Sequence, residues 1–295
     1  MEPFGFLIVD KPQGMTSHDI VAAVRRGTRV KRIGHAGTLD PMATGVLVLC
    51  IGPATRLSEY VMVSTKQYTA TIRLGVETDS YDADGHVIAT CNADQVSGAD
   101  VEAALAHFQG EVEQIPPMYS AIKQGGKKLY EIARQGKEVD RAARKVWLQT
   151  TLVEAPLPEI KIRVTCSAGT YIRSIAHDLG AMLGVGAHLT VLRRDASGTL
   201  NDPVLWQTLL DTMTDGTWQH YMVDERRALS SIPELTLSDS QLQDILHGRS
   251  IPCAEPAANG DLRRAYTPGG QFIAILAAQQ GRWKPEKVFP QDNPF

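Results

Sequence analysis

The stretch that decides how this chain is read runs Gly34-His35-Ala36-Gly37-Thr38-Leu39-Asp40-Pro41-Met42-Ala43-Thr44-Gly45 and continues into Val46-Leu47-Val48-Leu49-Cys50-Ile51. Its second half is an unbroken apolar run, the pattern of a strand buried on both faces. Its first half is a glycine-rich loop that feeds that strand. The glycines let the backbone turn where a side chain would forbid it, or approach a ligand closely. Pro41 biases Asp40 towards an extended backbone. Asp40 is also the only acid between Asp19 and Glu59. Taken alone, an Asp before a proline is an ordinary turn residue bonded to its own backbone. Its surroundings decide whether it is more.

Before the loop, Phe4 to Val9 reads as a short strand that turns out through Asp10-Lys11-Pro12-Gln13-Gly14. Ser17 reads as the N-cap of a helix with Ile20, Val21 and Val24 on its apolar face and Gly27 just past its end. After the loop, Tyr68 to Leu74 alternates, with Ala70, Ile72 and Leu74 on one face and Thr69, Thr71 and Arg73 on the other. That predicts a half-buried strand with Tyr68 at its edge. The acidic turn Thr78 to Gly85 precedes a strand at His86–Ala89. Read as a calcium loop, it puts Cys91 where the bidentate Glu belongs, so no metal is expected there. Asp100 to Phe108 has helical spacing and ends before Gly110. Ile160 to Cys166 is a second alternating strand. A helix capped by Thr170 follows, with Ile172, Ile175, Ala176 and Leu179 as its buried stripe and Tyr171 and Arg173 on its first turn, off that stripe. Val191–Arg194 reads as a strand, Trp206–Met213 as a helix, and Trp218–Pro233 as a linking segment. From Leu235 the pattern changes to a short helix, strands at Phe272–Ala277 and Trp283–Phe289, and a proline-rich tail. This predicts a small β-rich domain.

At 295 residues the chain has room for one large domain or a medium one plus a small one. No apolar run approaches membrane-spanning length, and the first residues lack the basic, apolar and small succession of a secretory signal, so a cytoplasmic protein is expected. The four cysteines are far apart and read as buried free thiols. A net charge of -3 speaks weakly against a nucleic-acid partner. The distribution speaks for one: Arg25, Arg26, Arg29, Lys31 and Arg32 share their segment with no acid, and eight basic residues between Lys123 and Lys145 face only Glu131, Glu138 and Asp140. Basic stripes bind polyphosphates even on a slightly acidic chain, although each run alone is also what a solvated helix face looks like. Within the second run, Leu129, Tyr130, Ile132 and Ala133 form a short amphipathic helix between Gly125-Gly126 and Gly136, which reads as a mobile basic flap.

The chain has no Gly-x-x-x-x-Gly-Lys loop, no Gly-x-Gly-x-x-Gly after a strand, no His-Glu-x-x-His and no Gly-x-Ser-x-Gly. What is left is a solitary carboxylate in a glycine loop, aromatics at element ends, an Arg at a helix N-terminus, and basic stripes. That set suits metal-free covalent chemistry at a carbon centre in a nucleic acid, with Asp as the nucleophile.

Gly34-His35-x-Gly37-x-Leu39-Asp40-Pro41-x-Ala43-x-Gly45 resembles the signature of the TruB family of tRNA pseudouridine synthases. Asp10-Lys11-Pro12-x-Gly14-x-Thr16-Ser17 resembles the family's opening turn, and Lys66-x-Tyr68 with Leu74-Gly75-x-x-Thr78-Asp79-x-x-Asp82 its second motif. Ile115-Pro116-Pro117-Met118-Tyr119-Ser120-Ala121 is similar to the entry to its RNA-gripping insertion. Gly169-Thr170-Tyr171-Ile172-Arg173-Ser174 and Leu192-Arg193-Arg194 resemble the last two motifs. In order and spacing they cover Phe4 to Arg194.

The resemblance implies an α+β fold: a catalytic domain at 1–230 on a mixed, largely antiparallel sheet flanked by helices, with a basic insertion at about 120–147. A small β-rich, PUA-like RNA-binding domain at 231–295 would follow. It implies Asp40 as the nucleophile, towards either the base or the sugar of the target uridine. Tyr68 would stack on the flipped uracil, Leu192 would pack its other side, and Tyr171 would line the pocket. Arg173 would hold the Asp40 carboxylate, and Asp82 would orient an arginine or tyrosine. His35 would wedge into the RNA loop during the flip. The implied reaction is isomerisation of uridine 55 in the T loop of tRNA, without metal or cofactor. The implied enzyme is a monomer that needs no guide RNA and no protein partner, since guide-dependent relatives lack the insertion. The competing class is a tRNA-binding or RNA-folding protein with secondary or lost catalysis. The presence of Asp40, Tyr68 and Arg173 speaks against loss.

Overall fold

The computed structural model describes residues 2–289, so the proline-rich tail expected at the end of the chain lies outside the described residues. The chain opens with β1 (Gly5–Lys11) and α1 (Ser17–Thr28). Thr16, not Ser17, caps α1: its hydroxyl accepts from the Asp19 amide while the Asp19 carboxylate accepts from the Thr16 amide. A capping box needs a side-chain acceptor three residues after the cap; Thr16 has Asp19 there, whereas Ser17 has Ile20. Gly27 lies inside the helix rather than past it. A Cβ there would stand 2.7 Å from Met213 Sδ, so the glycine lets a later helix come close.

β2 (Ile33–His35) and β3 (Thr44–Ile51) form an antiparallel pair joined by the glycine loop. α2 (Ser58–Met62), β4 (Lys66–Leu74), the small hairpin β5 (Val76–Thr78) and β6 (Val87–Thr90), and α3 (Gly98–Leu105) follow. Gly110 does not close α3 but lies in β7 (Gln109–Gln114) at φ 78°. The basic excursion is a two-stranded hairpin, β8 (Lys123–Gln124) and β9 (Lys127–Lys128), with one helical turn, α4 (Leu129–Ala133). β10 (Arg144–Glu154), β11 (Glu159–Cys166), α5 (Ile172–Met182) and β12 (Ala187–Ser197) complete the centre of the sheet. β13 (Val204–Leu205), α6 (Trp206–Asp215), β14 (Met222–Val223) and α7 (Glu225–Ala228) come next. The segment expected to be a linker is therefore part of the fold, since β14 pairs with Phe6 and Leu7 of β1.

Ten strands make one sheet in the order β13-β1-β3-β12-β4-β11-β10-β7, with β14 on β1 and β2 on β3. Only β1 with β13 and β3 with β12 run parallel. One face is apolar through Leu47, Leu49, Ala70, Ile72, Ile162 and Val164, and is covered by Ile20, Val24, Val101, Ile175, Leu179 and Leu209 from the helices. Behind β1 and β3, the opposite face (Phe6, Ile8, Val46, Val48) packs on Tyr266, Phe272, Ile275 and Phe289.

Tyr266 and Phe272 belong to a second, five-stranded sheet of β15 (Glu234–Thr236), β16 (Ile251–Pro252), β17 (Leu262–Tyr266), β18 (Phe272–Gln279) and β19 (Arg282–Val288), with α8 (Asp239–Leu246) packed on it, and Phe289 follows directly on β19. All four thiols are free. Cys50 and Cys166 are buried in β3 and β11, but Cys91 is exposed just past the solvent-facing β6. Among the described residues, no helix is long and apolar enough to cross a membrane.

Candidate active site

The loop between β2 and β3 borders a cleft of about 870 Å³, whose wall is completed by the start of β4, the acidic turn, the N-terminus of α5, β12 and the flap. The loop is clamped from below. Arg194, 2% exposed, donates from Nε to Val46 O (2.7 Å), from Nη1 to Thr38 O (3.4 Å) and from Nη2 to Gly37 O (3.1 Å). Gly45, at φ 93°, carries no Cβ because one would stand 2.2 Å from Arg194 O, where β3 meets β12. The Ser17 hydroxyl accepts from Leu39 N (2.9 Å) and donates to Leu39 O. Lys11 Nζ donates to the carbonyls of Pro12, Met15 and Pro41, and its burial pushes the ammonium down to about 8. The residues before and after Asp40 are thus both held, which fixes where its carboxylate points.

That carboxylate meets α5. Arg173 Nε lies 3.0 Å from Asp40 Oδ2; the arginine side chain is 6% exposed and the aspartate 36%, so the cation is buried while its partner opens to the cleft. Arg173, expected off the buried stripe, is buried because acceptors surround it. Nη1 lies 3.3 Å from Asp82 Oδ2 and donates to Ser80 O, and Nη2 donates to Tyr119 O at 2.9 Å. Asp82 in turn accepts from Ser80 Oγ (2.5 Å) and Asp84 N (3.1 Å). Burial raises the Asp40 carboxyl above its ordinary value; the Arg173 charge pulls it back and the Asp82 charge pushes it further up.

Tyr171, not Thr170, is the N-cap residue of α5, and its side chain makes no cap. Thr170 instead donates to Ser167 O, and the Tyr171 amide is satisfied by Gln114 Oε1 at 2.8 Å, with Gln114 Nε2 returning a bond to Tyr171 O. Tyr68 and Leu192, both buried, line the cleft with Asp40, Tyr171 and Arg173. Burial raises the Tyr68 hydroxyl, with the Arg194 charge acting against it. His35 is not in the cleft wall. It ends β2, edge-on to His18 at 6.1 Å, with a buried Nδ1 lacking a partner, and burial followed by the His18 and Arg194 charges lowers its basicity.

Arg194, Lys11 and Gln114 were not among the expected site residues. Arg194 carried a signal, since it is two residues from Leu192 in a strand and so shares its face. Lys11 stands in the Asp10-Lys11-Pro12 turn of the sequence, but its bond across to Pro41 O shows only in the fold; Gln114, whose partner is the distant backbone of Tyr171, carried no signal.

Residues 25–172 match the TruB family pseudouridylate synthase N-terminal domain. The tRNA pseudouridine synthase B of Burkholderia pseudomallei (strain 668) is 40% identical over 291 residues, covering 96% of this chain and 96% of that one. The chain belongs to the TruB family. Like other pseudouridylate synthases it is an isomerase. Residues 173–235 match the tRNA pseudouridylate synthase B C-terminal domain, and residues 232–290 the tRNA pseudouridine synthase II C-terminal region. The TruB relative of Arthrobacter sp. (strain FB24), also named tRNA pseudouridine synthase B, is 41% identical over 304 residues, 98% of this chain and 97% of that one. Among solved structures, a chain of a Cbf5-Nop10-Gar1 complex matches with a TM-score of 0.78 at 26% identity, over 98% of this TruB chain and 86% of that one.

Proposed function

We propose that this TruB enzyme converts uridine 55 in the T loop of tRNA to pseudouridine, with Asp40 as the nucleophile. The observation that carries the proposal is the Asp40–Arg173 pair at 3.0 Å in the wall of the cleft. A carboxylate held by a buried, planar cation and open on its other side is oriented for attack. Attack on the base or on the ribose lets the glycosidic N1–C1′ bond break; the uracil then turns and joins C1′ through C5, the bond to Asp40 breaks again, and the proton lost from C5 is balanced by one gained at N1, so that the product is an isomer of uridine. Arg173 keeps Asp40 ionised and aimed, and Asp82 orients Arg173.

Tyr68 stacks on the extruded uracil and Leu192 closes its other side, which offsets the unstacking the flip requires. Tyr171 lines the same pocket. His35, outside the cleft wall, contacts the RNA loop from which the base leaves. The basic flap within about 120–147 grips the T-arm backbone, and residues 231–295 form a PUA-like RNA-binding domain beyond the catalytic domain at 1–230. The enzyme acts in the cytoplasm as a monomer without cofactor, guide RNA or protein partner, because the flap supplies in cis the grip a guide would otherwise provide.

A tRNA-folding protein without catalysis would have no use for a clamped, arginine-paired carboxylate. Incubating the protein alone with an unmodified tRNA transcript and mapping pseudouridine tests the proposal. One pseudouridine at position 55 is expected; tight binding with no pseudouridine, or modification only elsewhere, contradicts it.

A further inference from the structure

Tyr81 adopts φ 67°, a left-handed backbone that a bulky side chain rarely takes. It sits between the two residues that contact Arg173 Nη1, namely Ser80 through its carbonyl and Asp82 through its carboxylate. The left-handed turn lets both neighbours face one guanidinium. The Tyr81 ring goes instead to His177, on which it stacks at 4.0 Å between centroids and 26° between planes. His177 follows Arg173 by four residues in α5, so the two share a helix face. The imidazole is held in turn: Nε2 lies 3.3 Å from Glu77 Oε1 of β5, and Nδ1 lies 3.0 Å from Asp178 Oδ1. The turn is also tied to β12, since Leu189 N donates to Tyr81 O and Ala83 N donates to Leu189 O. The segment Ser80–Asp82 therefore grips α5 on two successive turns, once at Arg173 and once at His177.

We propose that Tyr81 and His177 are positioning residues whose stack sets the register between this turn and α5, and through it the place at which Arg173 presents Asp40. The proposal rests on Asp40 being the nucleophile. A stack that only added stability would change the unfolding temperature and leave turnover by the folded enzyme alone. A stack that sets register acts on kcat, because small displacements of an aligned group cost rate steeply while RNA binding is spread over a wide surface.

The test measures kcat and KM on a tRNA transcript well below the unfolding temperature of each variant. Tyr81→Asn keeps a residue that tolerates the left-handed turn but removes the ring. His177→Ala removes the other half at a partly exposed position where alanine favours the helix, so it serves if Tyr81→Asn does not fold. Each is expected to lower kcat about 10-fold with KM within twofold of wild type. The double variant should be no slower than the worse single one, since each single change already removes the whole stack. Tyr81→Phe, which keeps the stack, should turn over like wild type. Wild-type kcat in Tyr81→Asn or His177→Ala, or a rise in KM alone, overturns the proposal. Failure of the wild type itself to form pseudouridine would instead overturn the function on which it rests.

Discussion

Arg173 Nε approaches Asp40 Oδ2 to 3.0 Å from inside the protein, so the carboxylate is paired on its buried side and free on the side that faces the cleft. A buried cation without such partners would be costly, and Arg173 makes up for its lost hydration with Asp82, Ser80 O and Tyr119 O. The pair is thus one edge of a network that joins the glycine loop, the acidic turn and the entrance of the flap to the first turn of α5.

Replacing Arg173 should therefore change both rate and pH dependence. Burial and Asp82 favour the protonated Asp40, and Arg173 opposes them. In Arg173→Gln only the opposing charge is removed, so Asp40 ionises at higher pH than in wild type. Because the ionised form attacks, the acid limb of kcat/KM should move to higher pH, with kcat lowered by about 10²–10³ from loss of a preorganised donor. A limb that stays in place or moves to lower pH contradicts this electrostatic account.

The clamp under the loop should appear in stability. Arg194→Leu leaves the carbonyls of Gly37, Thr38 and Val46 without their donor, and Gly45→Ala drives a Cβ into Arg194 O. Each should cost roughly 2–4 kcal/mol in denaturant unfolding, read as a lower midpoint at unchanged slope. Midpoints within about 0.5 kcal/mol of wild type would mean that the loop holds itself.

Much of this was legible beforehand because local patterns and tertiary structure agree. The alternating stretches Tyr68–Leu74 and Ile160–Cys166 lie in the central strands β4 and β11, and the run after Gly45 is β3. Elsewhere one local signal hid another. In β10, Val146, Leu148 and Thr150 alternate with exposed neighbours, but the strand begins inside the basic run, at Arg144 and Lys145, whose charges mask its start. β14 pairs through two residues, too few for any periodicity. Ser17 read as a cap until its hydroxyl proved committed to Leu39. Arg194 is an arginine on the face of Leu192, and only the folded loop shows which carbonyls it serves. His35 belongs to the same sequence motif as Asp40 yet lies outside the cleft wall, since β2 ends between them.

The flap makes a prediction about RNA binding. Lys127 and Lys137 are exposed, and the Lys128 ammonium meets Tyr130, at its hydroxyl and over its ring. Neutralising Lys127, Lys128 and Lys137 together should weaken tRNA binding and flatten the slope of log affinity against log salt by about 2–3, at close to one unit per lost phosphate contact. Titrations at several salt concentrations measure it, and an unchanged slope would remove the flap from the RNA interface.

The central claim is that Asp40 performs the chemistry and not merely the turn its dipeptide suggests. The most direct measurement is single-turnover pseudouridine formation in a tRNA transcript, with Asp40→Asn in excess over RNA and binding recorded on the same samples. Asn keeps the shape and removes the charge. The account predicts near wild-type binding and no pseudouridine above background over many wild-type half-lives; pseudouridine formed by Asp40→Asn at a rate near that of wild type would contradict it.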